Sequence, residues 1–389
     1  MLEAPPLGLY VHLPWCVKKC PYCDFNSYEV PAGEFPGERY VAALLRDLER
    51  DLPLAAGRSV ETVFFGGGTP SLFDPADIAA LLQGVRERLP LANGAEITLE
   101  ANPGTVERGD FSGYREAGIT RVSLGAQSFA AEQLRLLGRI HAAADTGAAV
   151  ADLGRAGLAN FNLDLMYALP AQTLDLAVAD LATAIGLSPP HLSYYHLTLE
   201  PGTAFYRKPP VLPDEELALA IEATATERLT AAGYRRYEVS AWATPGAECR
   251  HNVNYWRFGD YLGLGAGAHG KLTVPDEDRI VRTLKPRNPA TYLATRDDPV
   301  QGLRTDVDRH DRPFEFMLNA LRLSDGFRQA DFAARTGLPL ASVGAVVDDL
   351  LGRGLLEEGG DRLRASPLGW RFLNDVQAAF LVSSPTSGT

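Results

Sequence analysis

The sequence predicts an α/β protein in which parallel strands, each followed by a covering helix, curl into a partial, TIM-like (βα)6 barrel. A smaller C-terminal domain, helical and winged-helix-like, follows it. Two observations predict this. Six β-rich runs alternate with helically patterned segments through the first half of the 389 residues. Repeated strand–helix units imply a parallel sheet, and right-handed crossovers curl such units in one direction. From about residue 310 the pattern changes to short helices and a small hairpin.

In order along the chain, the strands are LGLYVHLPW (7–15), ETVFFGGGTP (61–70), EITLEANP (96–103), RVSLGAQSF (121–129), NFNLDLMYALP (160–170) and HLSYYHLTLEP (191–201). Helical spacing covers roughly 38–52, 76–89, 130–138, 142–157 and 174–187; in the second of these Ile78, Leu81, Leu82 and Val85 recur at three- and four-residue steps. A Pro-rich stretch, RKPPVLPDEE (207–216), closes this half, and a helix over 214–231, a strand in YRRYEVSAW (234–242) and a Gly-rich region over 259–270 come next. FEFMLNALRL, QADFAARTG and ASVGAVVDDLLGRG read as short helices, and the remainder as a hairpin and a closing helix. The expected division is a barrel over 1–205, its completion with a His-Asn-Tyr-Trp segment over 206–305, the C-terminal domain over 306–382 and a disordered tail over 383–389.

Composition narrows the function classes. Hydrophobic residues at 46% and charged residues at 22% describe an ordinary globular protein. A net charge of −12 argues against broad nucleic-acid or anionic-membrane binding. The winged-helix-like domain, rich in Asp and Glu, has no basic face to offer DNA. No apolar run reaches the ~20 residues of a transmembrane segment, and MLEAPPLGLYVHLPW lacks the features of a signal peptide, so a cytoplasmic location is expected.

Three of the four cysteines, Cys16, Cys20 and Cys23, fall within eight residues directly after the first strand. Thiolates suit iron–sulfur clusters or zinc. A structural zinc site wants four ligands, and the remaining cysteine, Cys249, is far along the chain. Three close thiolates can instead hold three irons of a cubane and leave the fourth open to a chelating cosubstrate. Other chemistry-bearing residues also sit where strands end, as Gly66 to Pro70 and Glu100 to Pro103 do. In parallel α/β folds that is where ligands bind.

The CxxxCxxC spacing after a first strand resembles the radical S-adenosylmethionine (SAM) superfamily. The fuller string YVHLPWCVKKCPYCDFNSY is similar to the oxygen-independent coproporphyrinogen III oxidase family, closest to its haem-chaperone branch, and the likeness spans about residues 7–380. The resemblance implies a [4Fe–4S] cluster on Cys16, Cys20 and Cys23, with SAM chelating the open iron. It implies SAM contacts from Tyr10, Tyr22, the loop Gly67, Gly68 and Thr69, and from Glu100, Gln127, Arg139 and Asp164. The family's oxidases carry a fourth cysteine two residues after the third, where this chain has Phe25, and a longer amino-terminal extension. Both departures point to the chaperone branch. His251, Tyr255 and Trp256 match that branch's HNxxYW element; His is a common haem ligand and aromatic rings offer a porphyrin flat contact. Cys249 is an alternative thiolate ligand, and His269 reads as structural. The implied function is haem binding and transfer to an acceptor protein, in respiration. The alternative is a radical SAM enzyme acting on a tetrapyrrole, either an oxidase or a methyltransferase.

Overall fold

The computed structural model describes residues 1–30, 35–104, 110–294 and 303–381. The six expected strands are all present: β1 (Leu7–Leu13), β2 (Val60–Gly67), β3 (Leu91–Ala101), β4 (Arg121–Gln127), β5 (Phe161–Tyr167) and β6 (His191–His196). They pair in parallel, in chain order. Six further strands join the same sheet: β7 (Arg235–Glu238), β8 (Ala241–Ala243), β9 (Asp260–Leu264), β10 (His269–Val274), β11 (Arg279–Leu284) and β12 (Leu303–Asp306). The order across the sheet is β12-β11-β10-β9-β1-β2-β3-β4-β5-β6-β8-β7, with β9 parallel to β1 and the outer strands antiparallel. The expected single strand over 234–242 is two short strands that pair with each other.

Helices α1 (Gly37–Ala55), α2 (Pro75–Arg88), α3 (Phe111–Ala117), α4 (Ala131–Leu136), α5 (Ala143–Ala156), α6 (Leu174–Gly186), α7 (Glu215–Ala231) and α8 (Arg250–Trp256) accompany the sheet. The periodicity does not predict α3, whose seven residues are too few for a repeat. Its local signal is the cap, where the Asp110 carboxylate accepts from the Ser112 N–H at 3.0 Å.

Each barrel strand has two chemically different faces. Leu7, Leu9, Val11 and Leu13 of β1, Phe161, Leu163 and Leu165 of β5, and Leu192 and Tyr194 of β6 are buried in the main apolar core, which they share with Leu44, Leu48, Leu81, Leu82 and Leu153 of the covering helices. Burying each such side chain contributes about 1.5–3 kcal/mol. The intervening residues face inward and are mostly polar: Tyr10 and His12, Glu96 and Glu100, Arg121 and Ser123, Asn162 and Asp164, His191 and Ser193. TIM-barrel interiors are usually filled by branched aliphatic side chains; this one is polar and encloses space.

The lower end of the barrel is closed by α8. His251 Nδ1 lies 2.8 Å from Thr62 Oγ1, the His251 N–H donates to Glu96 at 3.2 Å, and the Cys249 thiol lies 3.8 Å from the same carboxylate. A buried ionic group holds α1 to the far side of the sheet: Lys285 Nζ is 2.5 Å from both Asp47 and Asp51, and Asp47 also accepts from the Tyr292 hydroxyl and the Gly265 N–H.

The C-terminal part has helices Arg312–Ala320, Gln329–Thr336 and Gly344–Gly352, a small antiparallel sheet of Phe327–Arg328, Leu356–Gly359 and Arg362–Ala365, and closing helices Pro367–Arg371 and Leu373–Ala378. Its core of Phe316, Met317, Phe332, Leu350, Leu363 and Val376 includes Phe258 and Ile280 from the barrel side. The tail expected over 383–389 lies outside the described residues. No described helix is long and apolar enough to cross a membrane.

Candidate functional site: a thiol-lined cavity at the barrel mouth

The C-terminal ends of β1 to β6 surround a cavity of about 360 Å³. Cys16, Cys20 and Cys23 line one side, and Tyr22, Gly67, Gly68, Thr69, Glu100, Gln127, Arg139 and Asp164 line the rest. The fold therefore brings together every residue expected at a SAM site except Tyr10, which lines an adjoining cavity with Gly67 and Glu100.

The cysteine loop is held by its backbone. The N–H groups of Gly68 and Thr69 donate to the carbonyls of Leu13 (2.8 Å) and Trp15 (2.7 Å), and Lys19 Nζ donates to the carbonyls of Phe25 and Ser27. All four cysteines are free thiols. Burial pushes the Cys16 thiol up to about 11 and the Cys23 thiol in the same direction. Thiols around one tetrahedral zinc ion, at a Zn–S distance of about 2.3 Å, would stand about 4 Å apart. Among the described residues, only the exposed Asp308, His310 and Asp311 gather three donor atoms within 4.8 Å. The three thiols share one cavity without gathering that closely, a donor set that fits a cluster of irons.

The glycine loop lines the cavity with its backbone donors already used. The Gly67 N–H donates to Glu100 Oε2 at 3.2 Å, so the N–H groups of residues 67–69 are all committed. Gly67 has φ +117°, and a Cβ there would stand 2.6 Å from the His12 ring; one on Gly68 would stand 2.5 Å from the Trp15 carbonyl oxygen. The loop is glycine because it packs onto β1 and the cysteine loop.

Beside the thiols lies a polar cluster. Arg139 Nη1 is 3.7 Å from Cys20 Sγ, while Nη2 donates to Asn102 Oδ1 and to the Gly125 carbonyl. Asn102 in turn donates to Thr69 Oγ1 at 3.2 Å. A Cβ on Gly125 would crowd Gln127, Asn102 and Arg139 together. Gln127 ends β4 with φ +65°, a left-handed conformation that a non-glycine residue adopts at a cost of about 1–3 kcal/mol, and such outliers cluster at functional sites. Burial, with Asp164 nearby, pushes the Glu100 carboxyl up to about 8. Burial also raises Asp164, against hydrogen bonds from Asn162 (2.7 Å) and Ser123 (3.1 Å).

The expected haem-side residues are placed differently. His251 and Cys249 are each 1% exposed and line neither mouth cavity. Both His251 ring nitrogens face hydroxyls, Nδ1 to Thr62 and Nε2 to Tyr255 at 3.1 Å. Trp256 is half-buried under the Arg322 guanidinium, 4.2 Å from the ring. His251 and Cys249 are thus built into the barrel floor, and of the four only Tyr255 reaches the adjoining cavity. Sequence reasoning misses Asn102, Gly125, His12 and Asn26. His12 Nε2 donates to the Asn26 carbonyl at 2.9 Å, which leaves Nδ1 to accept from the Tyr10 hydroxyl at 2.9 Å. The available signals were the Tyr10–His12 alternation along the inner face of β1 and the Asn that directly follows Glu100-Ala101.

Comparison with known proteins fits this geometry. The Radical SAM superfamily profile matches residues 10–182, and the HemN C-terminal domain profile matches residues 307–372. The chain is 50% identical over 381 residues to the heme chaperone HemW of Escherichia coli (strain K12), covering 98% of this chain and all of that one. It is 38% identical over 375 residues to the heme chaperone HemW of Mycobacterium tuberculosis, covering 93% and 91% of the two chains. Among solved structures, the coproporphyrinogen III oxidase HemN from E. coli, a radical SAM enzyme, superposes with a TM-score of 0.81 over 97% of this chain and 90% of that one. At 24% identity that likeness concerns the fold.

Proposed function

Because this chain belongs to the HemW family of the radical SAM superfamily, we propose that it binds haem together with a SAM-ligated [4Fe–4S] cluster and passes the haem to an acceptor protein in respiration. The observation that supports the cluster is the convergence of Cys16, Cys20 and Cys23 with Glu100 and Arg139 on one cavity. When bound, the cluster supplies a site that chelates SAM and can exchange an electron with it.

The chain's own residues divide the work. Cys16, Cys20 and Cys23 hold three irons. Glu100 and the carbonyls of the Gly66–Thr69 loop receive the amino group of SAM, since the loop's N–H groups are already spent. Arg139, beside Cys20, takes the carboxylate. Gln127 and Asp164 face the hydroxyls, with Tyr22 and Tyr10 flanking. We take residues 1–205 as the barrel, 206–305 as its completion and 306–382 as the C-terminal domain. Three closely spaced free thiols suit a reducing compartment, and we place the protein in the cytoplasm.

An anaerobic haem titration of cluster-reconstituted protein tests this reading. Saturable binding near one haem per chain, followed by transfer to a haem-free acceptor, is the expected result. Absence of saturable binding would overturn it. Cys20→Ser should remove the cluster absorbance near 400 nm; full iron content in that variant would remove Cys20 from the ligand set. The intact polar cluster at Glu100, Arg139 and Asp164 favours one second reading, a radical enzyme acting on a tetrapyrrole. Its mark is 5′-deoxyadenosine formed in step with a changed substrate.

A further inference from the structure

Beside the thiol-lined cavity a second one of about 530 Å³ opens, within the range of small-molecule sites, and the two share Phe25, Gly67 and Glu100. Its walls combine broad aromatic rings with a few polar groups, Glu100 and Asn26 among them. Phe25 is 61% exposed, Tyr255 meets Tyr261 edge to face at 4.4 Å, and Tyr10 and Leu284 complete the lining. Two histidines reach it. His12 has both ring nitrogens engaged. His269, exposed at the start of β10, makes no ring hydrogen bond among the described residues; burial and the neighbouring Arg282 and Arg287 lower its pKa, so at neutral pH it is an imidazole with a lone pair to give. Arg287 at the rim is exposed and forms no ion pair among the described residues.

The walls are fixed in place by Asn26 of the cysteine loop, whose Nδ2 donates to the carbonyls of Ala266 (2.9 Å) and Arg287 (2.8 Å). Gly267, at φ +78°, packs so closely on Asn26 that a Cβ would stand 2.4 Å from that same nitrogen. Aromatic walls, one uncommitted imidazole and a guanidinium that has no ion pair among the described residues, only Nε bonded to Asn26 Oδ1 at 3.5 Å, are what a metalloporphyrin with carboxylate side chains requires.

We propose that this second cavity seats the haem, with His269 as its axial nitrogen ligand and Arg287 as the partner of a propionate. The inference rests on the haem-chaperone reading and moves the ligand from the buried His251 to a residue that faces open space. Ferric haem titrated into the cluster-reconstituted protein separates the two claims. His269→Ala should displace the Soret band and weaken binding by about tenfold or more, with added imidazole restoring the band position. Arg287→Gln should weaken binding by about tenfold with the Soret band unmoved. His310→Ala, outside both cavities, should change neither. Unchanged cluster absorbance in each variant shows that the fold survives. Wild-type affinity and spectrum in His269→Ala would overturn the seat while leaving the chaperone reading intact. A wild-type protein that binds no haem would overturn both.

Discussion

Replacing Gly67 by Ala puts a methyl group where the backbone and a ring both refuse it. At φ +117° an L side chain is strained by about 1–3 kcal/mol. The new Cβ would also stand 2.6 to 2.8 Å from three atoms of the His12 ring. That ring cannot swing aside freely, because it is held by the Tyr10 hydroxyl and the Asn26 carbonyl at 2.9 Å each. Giving up those two bonds costs about 1 kcal/mol apiece, so the whole change should cost about 3–5 kcal/mol. Urea denaturation of the metal-free protein, followed by tryptophan fluorescence, measures it. In a His12→Ala background the ring is gone, and Gly67→Ala should cost only the backbone part, a coupling of about 2 kcal/mol. The same cost in both backgrounds would refute the ring contact as its source. No cost in either would refute the backbone argument as well.

Four further outcomes are expected. Glu100→Gln should weaken SAM binding by about tenfold or more, since the amide, unlike the carboxyl, cannot give up a proton to become the anionic acceptor that an ammonium group needs. Since burial raises the Glu100 carboxyl from 4.5 to about 8, the metal-free protein should lose stability as pH climbs from 4.5 through 8; a slope that persists in the Gln variant would assign it to another group. His251→Ala should leave the Soret band in place but lower stability by about 2–4 kcal/mol, since the Thr62 and Tyr255 hydroxyls lose a partner inside the barrel floor; a displaced band at unchanged stability would return His251 to the haem. Lys285→Met should cost about 2–3 kcal/mol in thermal or urea unfolding, because Asp47 and Asp51 would lose their buried cation and keep only Arg50 and Arg304, both nearer solvent; an unchanged melting temperature would contradict this.

What could be read in advance follows from physical locality. The six barrel strands were legible because their outward residues form unbroken apolar series. The cysteine loop was legible because three ligands in eight residues need no tertiary information. The surroundings of the HNVNYW segment were not legible, for lack of a local clue to what lies above it. Its His251 and Tyr255 are one helical turn apart and bond to each other, a spacing that reads as a helix face, but the Thr62 that completes the pairing is 189 residues away. Asn26 is a similar case: its partners at Ala266 and Arg287 lie more than two hundred residues downstream, and only the return of β9 beside β1 brings them near. The glycine loop was legible from its composition, but its packing on His12 and Trp15 was not, because close packing and close ligand approach both select glycine.

The two-faced strands bear on how such a protein can diverge. Leu9 and Val11 answer to the covering helices, whereas Tyr10 and His12, one peptide away, answer to whatever occupies the lumen. Selection for foldability and selection for chemistry therefore act on alternate residues of one segment, with little conflict between them. A lineage can rewrite its inner letters, exchanging one guest molecule for another, while the outer letters keep the barrel standing. Likeness of outline among relatives then says little about what each has come to carry, and the record of that change lies on the even-numbered residues of β1.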